Sequence, residues 1–131
     1  MEEKEKQSRM IQGYVLQENL RSIEAREEML IRYLEELHQT KESINELKGA
    51  KASDALISMG STNFVKGKIT DTNSVIVNIG GGAAIRKSRE EAIEILENRI
   101  KEGEKALEQM ERQKQIIISN LNKLQSSIES Q

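Results

Sequence analysis

The sequence predicts a mainly α protein with a small β unit: an antiparallel two-helix coiled coil whose helices are joined by two β-hairpins. Three observations predict it. Apolar residues recur at alternating spacings of three and four near both ends, glycines and β-branched residues collect in the middle, and aromatics make up 2% of a chain that is 32% charged. Tyr14, Tyr33 and Phe64 are the only aromatics and there is no tryptophan, so large side chains cannot fill a thick interior. Leu, Ile, Glu, Lys and Gln suit a narrow seam instead.

Residues 1–131 read as one domain of three segments. The first, about 5–48, is a helix with apolar residues at Leu16, Leu20, Ile23, Leu30, Leu34, Leu37 and Ile44, the a and d positions of a heptad, with Glu27 and Lys41 in the two remaining seam slots. The middle, about 55–87, has a period near two, and six of the eight glycines lie between Gly49 and Gly82. It divides into strands at about 55–59, 63–70, 74–79 and 83–87, with turns at Gly60, at Asp71–Asn73 and at Gly80–Gly82. The third, about 89–129, starts after Ser88 as N-cap with Glu90 and Glu91 in its first turn. Its seam runs from Ile93 through Leu96, Ile100, Leu107, Met110, Ile117, Leu121 and Leu124 to Ile128, interrupted by Gly103 and Lys114. Two helices of nearly equal length around a β unit imply a chain that runs out and returns. An antiparallel register that ends both helices together sets Leu34 opposite Gly103, Leu37 opposite Ile100 and Ile44 opposite Ile93; a one-heptad slip either way keeps the same pattern.

Composition excludes several kinds of chemistry. There is no cysteine, hence no disulfide, thiolate metal site or cysteine nucleophile. No apolar run approaches the roughly 20 residues that span a bilayer, and the charged start MEEKEKQSR is unlike a signal peptide, so the expectation is a cytoplasmic protein with no membrane partner. A net charge of −2 gives no footprint for nucleic acid, although residues 49–87 carry five Lys/Arg against two Asp. The glycine triplet is not followed by Gly-Lys-Ser/Thr and leads into a strand, so it reads as a turn rather than a phosphate cradle. His38, the one histidine, reads as a solvated helix face, and Glu90, Glu91 and Glu94 as first-turn and outer-face charges. No catalytic residue, metal or cofactor is expected, and no enzyme. Glu27, Lys41 and Lys114 either specify register or snorkel at the seam's rim.

The segment Met59–Ala92, MGSTNFVKGKITDTNSVIVNIGGGAAIRKSREEA, together with the helical arms on either side, resembles the α-type subunit of the prefoldin family. Its pattern is a glycine, an apolar-Lys-Gly-Lys strand, an Asp-Thr turn, a Val-rich strand, a glycine turn and a Ser-x-x-Glu helix start. Two hairpins rather than one point to the α type. The residues from Ile57 to Gly60 lack a proline that many α-type members carry, and Ala83 stands where they have an aromatic. The resemblance implies a non-enzymatic, ATP-independent chaperone. Its partners would be β-type prefoldin subunits in a hetero-hexamer of two α and four β chains, unfolded client proteins, and a group II chaperonin that receives them.

By that resemblance the hairpin residues Leu56, Ile57, Phe64, Val65 and Ile69, with Val75, Val77, Ile79 and Ile85, form the assembly platform. The residues themselves point to a second surface, because a two-helix seam cannot hide every apolar group near the free ends. Ile116, Ile117 and Ile118 are consecutive and only Ile117 is on the seam, while Met10, Ile11, Tyr14 and Val15 lie off the first helix's extrapolated seam. With Leu121, Leu124 and Ile128 they form the expected client-binding tips. A register stutter that turns them inward is the alternative, and Met29, Ile31, Tyr33 and Ile95 are off-seam apolar residues away from the tips. The rival function is a structural or filament-forming coiled-coil protein whose hairpins polymerise.

Overall fold

A computed structural model describes residues 2–50 and 53–129. Two long helices, α1 (Glu3–Glu46) and α2 (Arg89–Glu129), flank four strands: β1 (Ser53–Gly60), β2 (Asn63–Ile69), β3 (Ser74–Gly80) and β4 (Ala83–Ser88). The expected elements are all present. The ends move by a few residues: α1 stops at Glu46 because Leu47 and Lys48 donate to carbonyls three residues back and Gly49 takes φ 75°. The chain divides into two compact units, one made of α1 up to Glu35 and α2 from Lys101, the other running from Glu36 to Ile100.

In the first unit the helices are antiparallel. A Cβ on Gly103 would lie 2.6 Å from Leu34 Cδ2, and one on Gly13 would lie 3.3 Å from Leu124 Cδ2. These contacts belong to the register that sets Leu34 opposite Gly103. Ile23, Glu27 and Leu34 are buried from α1 and Gly103 from α2, and the remaining predicted seam residues of this unit are half-buried. The seam continues past Leu16 through Gly13 to Arg9, whose guanidinium donates to Ser127 Oγ. A two-helix seam has no third layer over it, which is why so few of its side chains are fully covered.

The second unit has a denser interior. Leu37 and Ile44 of α1, Val77 of β3 and Ala92, Leu96 and Ile100 of α2 are buried. β1 pairs with β2 and β3 with β4, each as a separate two-stranded antiparallel sheet. The two hairpins share one design. Registers run from Ser53 opposite Ile69 to Ser58 opposite Phe64 and from Ser74 opposite Ser88 to Asn78 opposite Ala84, and each breaks at a bulge before Gly60 or Gly80. Both tight turns need two residues at positive φ: Gly81 (62°) and Gly82 (77°) in the second hairpin, but Ser61 (48°) and Thr62 (64°) in the first. Between the hairpins Asp71 accepts from Asn73 N at 2.9 Å and from Ser74 Oγ, and these bonds, Ser74's first, hold its carboxyl below the usual range. Ser88 then caps α2: its Oγ accepts from Glu91 N at 3.1 Å and donates to Glu91 Oε1 at 3.1 Å.

Candidate functional site

Two surfaces, one in each unit, leave several large apolar side chains exposed. At the free ends of the helices, Met10 and Tyr14 are 61% and 69% exposed, and Ile11 and Val15 are also exposed. Helical spacing explains the pairing, since Met10 and Tyr14 are four apart and project side by side. They line a groove of about 510 Å³ whose other wall includes Ile118, Leu121, Leu124 and Ile128 of α2. These four are half-buried, so they form the wall of the groove rather than free projections. The three consecutive isoleucines separate: Ile118 lines this groove, whereas Ile116, 61% exposed, and Ile117 line a small separate depression with Ile23. Arg9, Gly13, Gln17 and Asn122 also line the tip groove. Sequence reasoning missed them because three are polar and one is glycine, yet Arg9 and Gly13 follow the seam's own spacing back from Leu16.

Deeper in the same unit the polar seam residues have partners. Lys114 Nζ lies 3.0 Å from Glu27 Oε1 across the seam and 3.1 Å from Glu111 Oε2 on its own helix. Hydrogen bonds to Glu27 and then Glu111 raise the Lys114 pKa above its ordinary value. Glu111 is lowered, first by the amide of Gln115 and then by Lys114. Neither Glu27 nor Lys114 simply snorkels outward; they meet each other.

The second surface is on the hairpins. Leu56, Ile57, Phe64, Val65, Ile79 and Ile85 are exposed, Ile69 and Val75 are half-buried, and Val77 is buried within its own chain. Strand alternation accounts for the difference: Val77 and Val75 point to one face of β3 and Ile76 to the other. Ile76 and Met59 are exposed too and were missed in the sequence, where the inward face of each strand is not marked. In this unit Lys41 Nζ lies 3.2 Å from Glu97 Oε1, and Arg99 Nη2 donates to the Asn78 carbonyl at 2.9 Å, tying α2 to the end of β3. A two-stranded hairpin with apolar residues on an uncovered face is a poor free-standing structure, and its unpaired edges offer N–H and C=O groups to further strands. Among the described residues no group of His, Cys, Asp and Glu could hold a metal ion, and no helix is long and apolar enough to cross a membrane.

Comparison with known proteins meets the same architecture. A family model described as prefoldin subunit matches residues 16–131. The prefoldin subunit alpha of Nitrosopumilus maritimus is 32% identical over 115 residues, 88% of this chain and 79% of that protein. The subunit alpha of Archaeoglobus fulgidus is 28% identical over 127 residues, 96% of this chain and 93% of that protein. Prefoldin subunit alpha 1 of Thermococcus kodakarensis is 41% identical over 68 residues, 51% of this chain. The matched part of the chain spans about half the length of that relative and of the Pyrococcus horikoshii subunit alpha, 47% of each. Among solved structures, the cryo-EM structure of filamentous PFD from Methanocaldococcus jannaschii superposes with a TM-score of 0.76 at 19% identity, covering 86% of this chain and 94% of that one, a likeness of fold.

Proposed function

Because this chain belongs to the prefoldin family and has the two-hairpin form of its α-type subunits, we propose that it is a holdase that grips unfolded polypeptides at its helix ends without ATP. The observation that carries this reading is the tip groove, where Met10 and Tyr14 stand exposed beside Ile118, Leu121 and Leu124. Covering one such side chain with a client contributes at most about 1.5–3 kcal/mol, and the contact needs no particular client sequence. Several weak contacts held in one body then add through effective concentration, so the client is retained yet released. In this reading the hairpin residues Leu56, Ile57, Phe64, Val65, Ile69, Val75, Val77, Ile79 and Ile85 build the platform, with β-type subunits completing a hexamer of two α and four β chains. A group II chaperonin receives the client, and no covalent chemistry is required of any residue.

The test measures light scattering of an aggregating substrate in the presence of this chain, an archaeal β-type subunit, or both, with the mass of the assembly determined in parallel. A Met10→Ser/Tyr14→Ser/Ile116→Ser variant alters only exposed residues. The expected result is a discrete hexamer that suppresses aggregation and a variant that assembles without protecting. Equal protection by the variant would overturn the tip assignment.

A second reading is filament formation, favoured by the two separate hairpins with open edges and by the solved relative that is itself described as filamentous. Growth of long assemblies from this chain alone, seen by electron microscopy, would select it over the hexamer.

A further inference from the structure

On the same side of the first unit as the tip groove, and at the same heptad positions further along the helices, lies a second groove with a different lining. Met10, Gln17, Glu24 and Ile31 follow one another at intervals of seven; the first two line the tip groove and the last two the second groove. On α2 the same holds for Ile118 in the first and Glu111 and Glu104 in the second. The second groove has a volume of about 690 Å³, with Ile31 and Leu107 among its walls and six glutamates around them.

Those carboxylates are only half neutralised. Lys114 serves both Glu27 and Glu111, Arg32 holds Glu28 at 2.7 Å and Arg112 lies 3.7 Å from Glu108. Glu24 and Glu104 have no cation within 4 Å among the described residues, so the six carboxylates have three ion-paired cations among them. An occupant that suits apolar walls under an excess of carboxylates has long aliphatic stems ending in positive charge, which describes lysine and arginine.

We propose that this groove docks the basic stretch of an unfolded client whose apolar stretch occupies the tip groove, so that the chain selects segments in which lysine or arginine accompanies an apolar run. The proposal rests on the holdase reading of the tips and adds a preference to it. Spacing follows from geometry. Tyr14 and Glu28 are 14 residues apart on α1, about 21 Å by helical rise, which an extended client crosses in about six residues.

Fluorescence anisotropy with the complete chain assembled with its β-type partner tests this. Three peptides share one apolar run and carry, about six residues out on both sides, lysines, glutamines or aspartates. The lysine peptide is expected to bind about tenfold tighter than the glutamine peptide, with the aspartate peptide weakest. That gain should fall below about twofold in about 1 M salt, where the Debye length is about 3 Å, and in a Glu24→Gln/Glu104→Gln/Glu108→Gln variant. Equal binding of the lysine and glutamine peptides overturns the groove while leaving the tip reading intact. A lysine preference that survives in the variant also overturns it, since the charge is then read elsewhere. Failure of all three peptides to bind would remove the tip reading and the groove together.

Discussion

Gly103 of α2 faces Leu34 of α1 so closely that a Cβ built on the glycine would lie 2.6 Å from Leu34 Cδ2 and 3.3 Å from its Cγ. A glycine in mid-helix costs about 1 kcal/mol against alanine, so its presence needs a packing reason, and Leu34 supplies one. Gly103→Ala gains propensity but forces a buried leucine out of place, at a cost of roughly 1–3 kcal/mol. The expected net effect is a loss of about 1 kcal/mol, read from urea unfolding. In a Leu34→Ala background the same substitution should turn stabilising, by about 0.5–1 kcal/mol. A Gly103→Ala that is equally costly in both backgrounds would place the strain elsewhere.

Lys114→Met should lower the thermal midpoint by on the order of 5 °C, because Glu27, 8% exposed, loses its cation in the seam. Replacing both partners, Glu27→Leu with Lys114→Leu, should recover most of the loss, since the uncompensated carboxylate is gone. The pH dependence has a definite sign. Lys114 has its folded pKa raised above 10.5 by Glu27 and Glu111, so its contribution is complete below that value and is lost as pH rises through the folded one. Glu111 is lowered from 4.5 by Gln115 and Lys114, so its contribution is present above 4.5 and is lost as pH falls through the folded value. The difference between wild type and Lys114→Met should therefore be flat from about pH 5 to about pH 10 and shrink on both sides. A difference that stayed constant to the extremes would show that packing, not charge, is responsible.

The start of α2 offers a local prediction. Ser88→Ala removes the oxygen that accepts from Glu91 N and should cost about 1 kcal/mol, whereas Ser88→Asp should cost much less. Hydrogen exchange at the amides of Glu90 and Glu91 should accelerate in the alanine variant while the amides near Ile100 hold. Uniform acceleration along the helix would mean that the cap is not a local device.

The first hairpin turn is strained where the second is not. Thr62, a β-branched residue at φ 64°, pays roughly 1–2 kcal/mol for a conformation that Gly82 adopts freely at φ 77°. After the entropy that glycine restores to the unfolded chain, Thr62→Gly should still stabilise by about 0.5–1 kcal/mol, and Gly82→Thr should destabilise by about 1–2 kcal/mol. Urea midpoints of the two variants moving in the same direction would contradict the turn geometry.

Most of the fold could be read from spacing alone. Seam residues from Leu16 to Ile44 and from Ile93 to Ile128 repeat every 3.5 residues on average, and each is buried or half-buried. The glycines and β-branched residues of the middle marked both hairpins. What periodicity could not reveal was the partner of each polar seam residue: Glu27 and Lys114 look like two separate interruptions until the helices are set in register and become one ion pair. The seam's extension to Arg9 and Gly13 was hidden because neither is apolar, although Gly13 lies against Leu124 and Arg9 donates to Ser127. On the strands, alternation tells that Val77 and Ile76 face opposite ways but not which of them its own helices cover. The grooves were illegible for the same reason, since each needs both helices to define it.

The two hairpins, each with apolar side chains such as Leu56, Phe64 and Ile76 uncovered, make an orphaned copy of this chain resemble the cargo it is proposed to carry. Its lifetime in a cell would then become a matter of supply: in the proposed hexamer, copies in excess of their β-type partners are adhesive and open to degradation, and matched synthesis of the two chains keeps both covered.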